Sequence, residues 1–176
     1  MMVKSLFLLI IILIIHNNSY AKLAEEDKKF LSQYFNDEIP VKKRLILKKD
    51  SKALIQKIMG DKYNKRIFSY WEKSGNSVWI LNSIGKYKPI TASFIIQNCK
   101  IKSAHVLAYR EQIGYEIKYP NFLLQFTDAE LNSNMKLNIK VDNISGATLS
   151  VNSMERMAKT SLLLNKLSNE NKCIKN

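Results

Sequence analysis

Two rhythms of apolar and polar positions run along this chain of 176 residues, and the switches between them mark its elements. Between Glu25 and Phe35, the side chains of Phe30, Leu31, Tyr34 and Phe35 recur at helical spacing behind an acidic first turn, which predicts a short helix. Pro40 closes that region. Val41 to Leu47 reads as a strand, and Asp50-Ser51 supplies a cap for a helix that runs to Met59 and stops at Gly60. The rhythm then becomes that of a sheet. Arg66 to Trp71 and Ser77 to Ile84, joined by Ser74-Gly75-Asn76, predict one hairpin, and Pro89 to Gln97 and Lys100 to Tyr109, turning at Asn98-Cys99, predict a second. In the last of these strands Ile101, Ser103 and His105 alternate with Lys102, Ala104 and Val106.

From Gly114 the pattern is irregular, with a short helical segment at Asn121 to Phe126 after Pro120. A polar, glycine-containing turn, Asp142 to Thr148, leads into a long helix from Ser150 to about Leu167. Val151, Met154, Ala158 and Leu162 form its stripe, which Met157, Leu163 and Leu164 widen. The sum is an α+β domain, helices packed on a largely antiparallel sheet. One domain of 22–176 suits the length, with no internal repeat.

The first residues set the compartment. Lys4 gives a basic start, Leu6 to Ile15 is an apolar run too short to span a bilayer, and Ser19-Tyr20-Ala21 places small side chains before a cut. Residues 1–21 therefore read as a secretory signal peptide, with a mature, periplasmic or otherwise exported chain beginning near Lys22 and no transmembrane anchor once the signal is removed. The alternative reading is an uncleaved anchor.

Export changes what the charge means. A formal net charge of +13, carried almost entirely beyond position 21, would suggest nucleic acid in a cytoplasmic protein. Outside the cytoplasm it points instead to acidic protein partners, anionic lipid head groups or an anionic cofactor. Dispersed pairs such as Lys48-Lys49 also fit an ordinary solvated face. Cys99 and Cys173 form no metal or haem pattern, and the sequence leaves open whether they pair. His105 has no second histidine beyond the signal and reads as a packed side chain. Trp71 and Trp79 read as core or hairpin residues.

Chemistry concentrates in Asp142-Asn143-Ile144-Ser145-Gly146-Ala147-Thr148-Leu149-Ser150. Gly146 and Ala147 leave the backbone unobstructed, Ser145 and Ser150 add hydroxyls, and the segment opens a helix whose free amides face it. That arrangement suits a phosphate, and Thr148 supplies an oxygen through which a phosphoester could form; the same residue types also build ordinary helix starts.

Asp-x-x-Ser-Gly-Ala-Thr, Asp142 to Thr148, resembles the flavinylation motif of FMN-binding domains such as those in the C subunit of sodium-translocating NADH:quinone oxidoreductases and the G subunit of Rnf complexes. The resemblance extends over about Gly85 to Leu164, through Gly85-Lys86, Pro89-Ile90-Thr91, Val106 to Glu111, Gly114-Tyr115-Glu116, Phe122 and Gln125-Phe126. Thr127-Asp128 departs from it where a glycine is expected nearby. The resemblance places the FMN-binding part at about 85–167. It implies FMN bound covalently through its phosphate to Thr148, attached by a separate exported flavin transferase that uses FAD and Mg2+. An unactivated hydroxyl with no base beside it in the motif fits a modifying enzyme better than self-attachment.

The remaining candidates keep two readings each. Asp142 is either recognised by the transferase or holds the turn. Glu111 and Tyr115 are flavin contacts or polar residues at a strand end, as are Tyr109 and Arg110. Met135, Leu137 and Ile144 pack on the flavin ring or in the core. The function implied is extracytoplasmic electron transport between a membrane-bound or exported redox partner and an acceptor, as a carrier more than a stand-alone enzyme. Alternatives are a flavin-dependent reductase of small acceptors such as ferric iron, and a basic exported binding or structural module without flavin.

Overall fold

The computed structural model describes residues 23–168. The predicted signal segment and Cys173 lie outside the described residues. Five strands form one antiparallel sheet in sequence order, β1 (Lys43–Ile46), β2 (Ile67–Lys73), β3 (Asn76–Ile84), β4 (Pro89–Gln97) and β5 (Lys100–Ala108). Helices α1 (Glu25–Tyr34) and α2 (Lys49–Met59) flank β1 in the chain, and a short α3 (Pro120–Leu123) lies between two 3-10 turns. The last element is α4 (Thr148–Ser168), 21 residues long. No helix among the described residues is long and apolar enough to cross a membrane.

Two hairpins follow directly from turn chemistry. Ser74 and Gly75 take φ of 52° and 77°, and Asn98 and Cys99 take 49° and 63°. Two consecutive left-handed residues make the tight loop whose twist matches that of paired strands. Cys99 has a further role, since it is disulfide-bonded.

The sheet is covered on both faces. On one, Phe68, Trp79, Leu81, Phe94 and Ile101 pack against Met154, Met157, Ala158 and Leu164 of α4 and Ile55 of α2. On the other, Trp71, Val78 and Ile95 pack against Leu31 of α1 and Phe35 just beyond its end. The first three strands therefore share both the sheet and the core with β4 and β5, so the amino-terminal half completes the domain rather than preceding it. Inside the larger core a polar relay crosses the layers: Trp79 Nε1 donates to Ser77 Oγ at 3.0 Å, and Ser77 Oγ donates to Asn165 Oδ1 at 2.7 Å. It satisfies polar groups that would be costly to bury alone.

Three expectations need correction. The helix α2 begins at Lys49 with Lys48 at its cap position and no side-chain cap, so Asp50 sits in the first turn, where its charge faces the positive end of the helix. The alternation expected along β5 does not persist, because Ile96 pairs with Ile101 while Ile95 pairs with Ser103, which leaves Lys102 as an extra, bulged residue. Ile101 and Ala104 thereby face α4, while His105 faces α1, its ring 5.1 Å from that of Phe30. Burial holds the His105 imidazole below its ordinary pKa. Finally, α4 starts at Thr148, two residues earlier than its apolar stripe predicts, because Ser150 and Val151 already donate to Ala147 O at 2.9 and 3.0 Å.

Trp79 is fully buried and stacks on Tyr70 with ring centroids 4.5 Å apart. Trp79→Ala is expected to lower stability by about 3–5 kcal/mol, measured by chemical denaturation, because it opens a cavity and strips the donor from the Ser77–Asn165 relay.

Candidate functional site

A second bulge aims the end of β5 at the start of α4. Thr91 pairs with Ala108 and Ala92 with Val106, so Leu107 is the extra residue. That extra residue turns Tyr109 towards the α4 side of the sheet, where it packs on the larger core. Its hydroxyl donates to Ile113 O, and Ser150 Oγ lies 3.1 Å from the Tyr109 hydroxyl oxygen. Since a carbonyl can only accept, the Tyr109 proton is committed to Ile113 and Ser150 is the donor to Tyr109. Desolvation of the phenol is the main reason its pKa lies above the ordinary value.

The loop after β5 is locked onto the same helix. Gly114 takes φ of 89°, and a Cβ there would lie 2.6 Å from the Ala147 Cβ and 2.9 Å from Tyr109 Oη. Ala147 is buried beneath it. Gly146, at φ of 78°, supplies the left-handed bend that brings the chain into the helix. Upstream, Asp142 N donates to Gln125 Oε1 at 2.7 Å, and Ala147 N donates to Ile144 O at 2.9 Å. The segment from Asp142 to Thr148 is thus pinned at both ends.

Thr148 is exposed at the first position of α4, and its Oγ1 accepts a hydrogen bond from Asn143 Nδ2 at 2.9 Å. It opens on a cavity of about 500 Å³. One wall is the start of α4, from Gly146 to Ser150; another is Arg110 to Ile113; the third is the β3–β4 loop with Lys86, Tyr87 and Lys88. The side chains of Tyr87, Ile113 and Leu149 are 75%, 70% and 48% exposed at this rim, an unusual grouping of uncovered apolar surface.

The electrostatics favour an anion. Lys86, Lys88 and Arg110 line the cavity, and the first turn of α4 carries no acidic residue to offset the amides at its positive end. Arg110 is held by Thr91 Oγ1 at 3.1 Å and Pro89 O at 3.3 Å. Glu111 is the acidic member of the wall, and its Oε1 accepts from Tyr87 N at 2.6 Å and Lys88 N at 2.9 Å. Those amides hold its carboxyl below the ordinary range, the Lys88 bond first. A Cβ at Gly85 would lie 2.8 Å from Glu111 Oε1, so a larger residue there would press on that carboxylate.

Of the residues picked out in the sequence, Thr148, Gly146, Ala147, Leu149, Ser150, Arg110 and Glu111 come together at the cavity. Ser145 and Asp142 are exposed on the approach to it and do not line it, while Tyr115 stands outside, its ring against those of Tyr109 and Tyr119. Leu137 belongs to the core, with Met135 and Ile144 packed on it. Asp128, near where the resemblance expects a glycine, takes φ of 61°, in the left-handed region. Tyr87, Lys88, Gln112, Ile113 and Asn143 were missed. For Tyr87 and Lys88, adjacency to Gly85-Lys86 was the available signal; for Asn143 it was its place inside the Asp142–Thr148 motif.

Residues 85–163 match the family model of the FMN-binding domain. This segment is an FMN-binding domain. It spans β4, β5, the cavity walls and most of α4. A crystal structure of NqrC from Shewanella oneidensis is similar at a TM-score of 0.49 and 17% identity, over 71% of this chain and 69% of that one. No curated protein matches the chain. The FMN-binding domain has residues that fit its cofactor: a cavity in the ordinary size range for ligand sites, an apolar rim for a ring system and a cationic end for a phosphate.

The Glu111 bracket gives a test by titration. A carboxyl held low by two amides keeps its contribution above the ordinary glutamate range and loses it as pH falls through its lowered value. The amide resonances of Tyr87 and Lys88 should move together, with a midpoint below that of an unperturbed glutamate, and the transition should vanish in Glu111→Gln.

Proposed function

We propose that the chain is an extracytoplasmic electron-transfer protein carrying FMN as a phosphoester on Thr148. The observation that carries this reading is the exposed Thr148 hydroxyl at the first position of α4, opening on a cavity lined by Lys86, Lys88 and Arg110. Bound FMN would supply the redox chemistry. The protein's share is to hold and shield it: the helix amides and lysines receive the phosphate, while Tyr87, Ile113 and Leu149 cover the ring.

The side-chain partner of the Thr148 hydroxyl is Asn143 Nδ2, a donor without basicity, which does not activate it. That favours attachment by a separate flavin transferase using FAD and Mg2+. Cys99, being disulfide-bonded, supports an oxidising compartment and with it the secretory reading of residues 1–21. A tethered flavin suits such a place, since a dissociated one would be lost. The basic surface suits docking to an acidic redox partner.

Protein exported from a host that has the transferase should run as a fluorescent band under denaturing conditions, with one FMN less one water on the peptide bearing Thr148. Thr148→Ala should abolish the band and the added mass. A wild-type peptide that stays unmodified beside the active transferase would refute attachment. For the redox role, electron-transfer rates with an acidic protein partner should fall about tenfold or more from low to physiological salt. Rapid turnover with a small acceptor alone, insensitive to salt, would point to the reductase instead.

A further inference from the structure

We propose that Asn143 is a donor residue for the chain's own flavinylation: its side-chain amide positions the Thr148 oxygen and then stabilises the incoming phosphoryl group. The inference rests on the reading of Thr148 as the attachment point. Asn143 Nδ2 lies 2.9 Å from Thr148 Oγ1, the atom that reacts. A donor at that oxygen directs the hydroxyl proton elsewhere and fixes the side-chain rotamer, leaving a lone pair free for attack.

The backbone on both sides of Asn143 is held before any ligand arrives, and its side-chain amide already bonds Thr148. Asp142 N is bound by Gln125 Oε1 on one side, and Ile144 O accepts from Ala147 N on the other. The intervening residue therefore has little freedom, and a prepositioned dipole costs no reorganisation at the moment of reaction. Both Asn143 and Thr148 are exposed, so a second protein can reach them.

In the step itself the Thr148 Oγ–P bond forms as the bond from that phosphorus to the bridging oxygen of the flavin dinucleotide's diphosphate breaks. Adenosine monophosphate leaves with the bridging oxygen and its electron pair, and the hydroxyl proton passes to a base of the transferase. Nothing is oxidised or reduced. The non-bridging oxygens of a phosphorus joined to Oγ lie one bond beyond it, within reach of the same amide. As Oγ becomes an ester oxygen and a poorer acceptor, the Asn143 N–H transfers its hydrogen bond to the phosphoryl oxygen. An interaction that strengthens along the reaction accelerates it.

The test uses the mature chain with purified transferase, FAD and Mg2+, and follows attachment by in-gel fluorescence and peptide mass. Wild type, Asn143→Ala and Asn143→Asp are compared, with a thermal melt of each. Asp keeps size and turn chemistry but replaces the donor with a negative acceptor. Attachment kcat should fall about tenfold in the Ala variant and further in the Asp variant, with KM for the chain within about twofold and Tm unchanged. Unchanged kcat in either variant, a loss confined to KM, or a loss that tracks a lower Tm would overturn the inference while leaving Thr148 as the attachment point. An unmodified wild type would instead overturn the attachment reading, and this inference with it.

Discussion

The burial of α4 against the sheet is the constraint on which the site depends. Met154, Met157, Ala158 and Leu164 are fully buried on β3, β4 and α2, so the helix can neither slide nor rotate without opening the core. Fixing the body of the helix fixes its start. Ala147, buried beneath Gly114, seats the first turn, and Tyr109 joins Ser150 to the loop at Ile113. Thr148, one position beyond Ala147, has no alternative but to face outward. An exposed reactive hydroxyl is thus a product of the core.

The cationic character of the cavity has a similar origin. Lys86 and Lys88 belong to a loop whose path is set by one carboxylate, Glu111, through the amides of Tyr87 and Lys88. A residue that would weaken anion binding as a free charge spends one oxygen on the backbone and organises the basic loop. The result combines an uncompensated helix start, two lysines and an immobilised arginine around one hydroxyl. In water these charges would be screened; around a partly enclosed cavity they act together on a phosphate.

Much of the fold was legible along the chain because its signals are local. Ser74-Gly75 and Asn98-Cys99 announced their turns through residues that flank alternating strands, and Gly60 ended α2 at a φ of 102°. The stripe of α4 was read correctly in membership but placed its start too late. The first turn carries polar residues outside the stripe, and the helix begins where backbone bonds to Ala147 O begin. The alternation of β5 failed for another reason: a bulge depends on the register with β4, and nothing within Lys100 to Ala108 reports its neighbour's register.

The sequence alone determined the order of elements, the apolar stripe of α4 and the Asp142–Thr148 motif, since periodicity, turn propensity and a contiguous motif are properties of neighbouring residues. Tertiary structure alone decided what surrounds Thr148. Lys86, Arg110 and Ile113 meet it only because five strands pair in order and α4 lies across them. Exposed lysines and asparagines look alike in a sequence, and their roles come from distances to partners far along the chain. Tyr115, for which the sequence kept two readings, does not line the cavity, and its ring packs against those of Tyr109 and Tyr119.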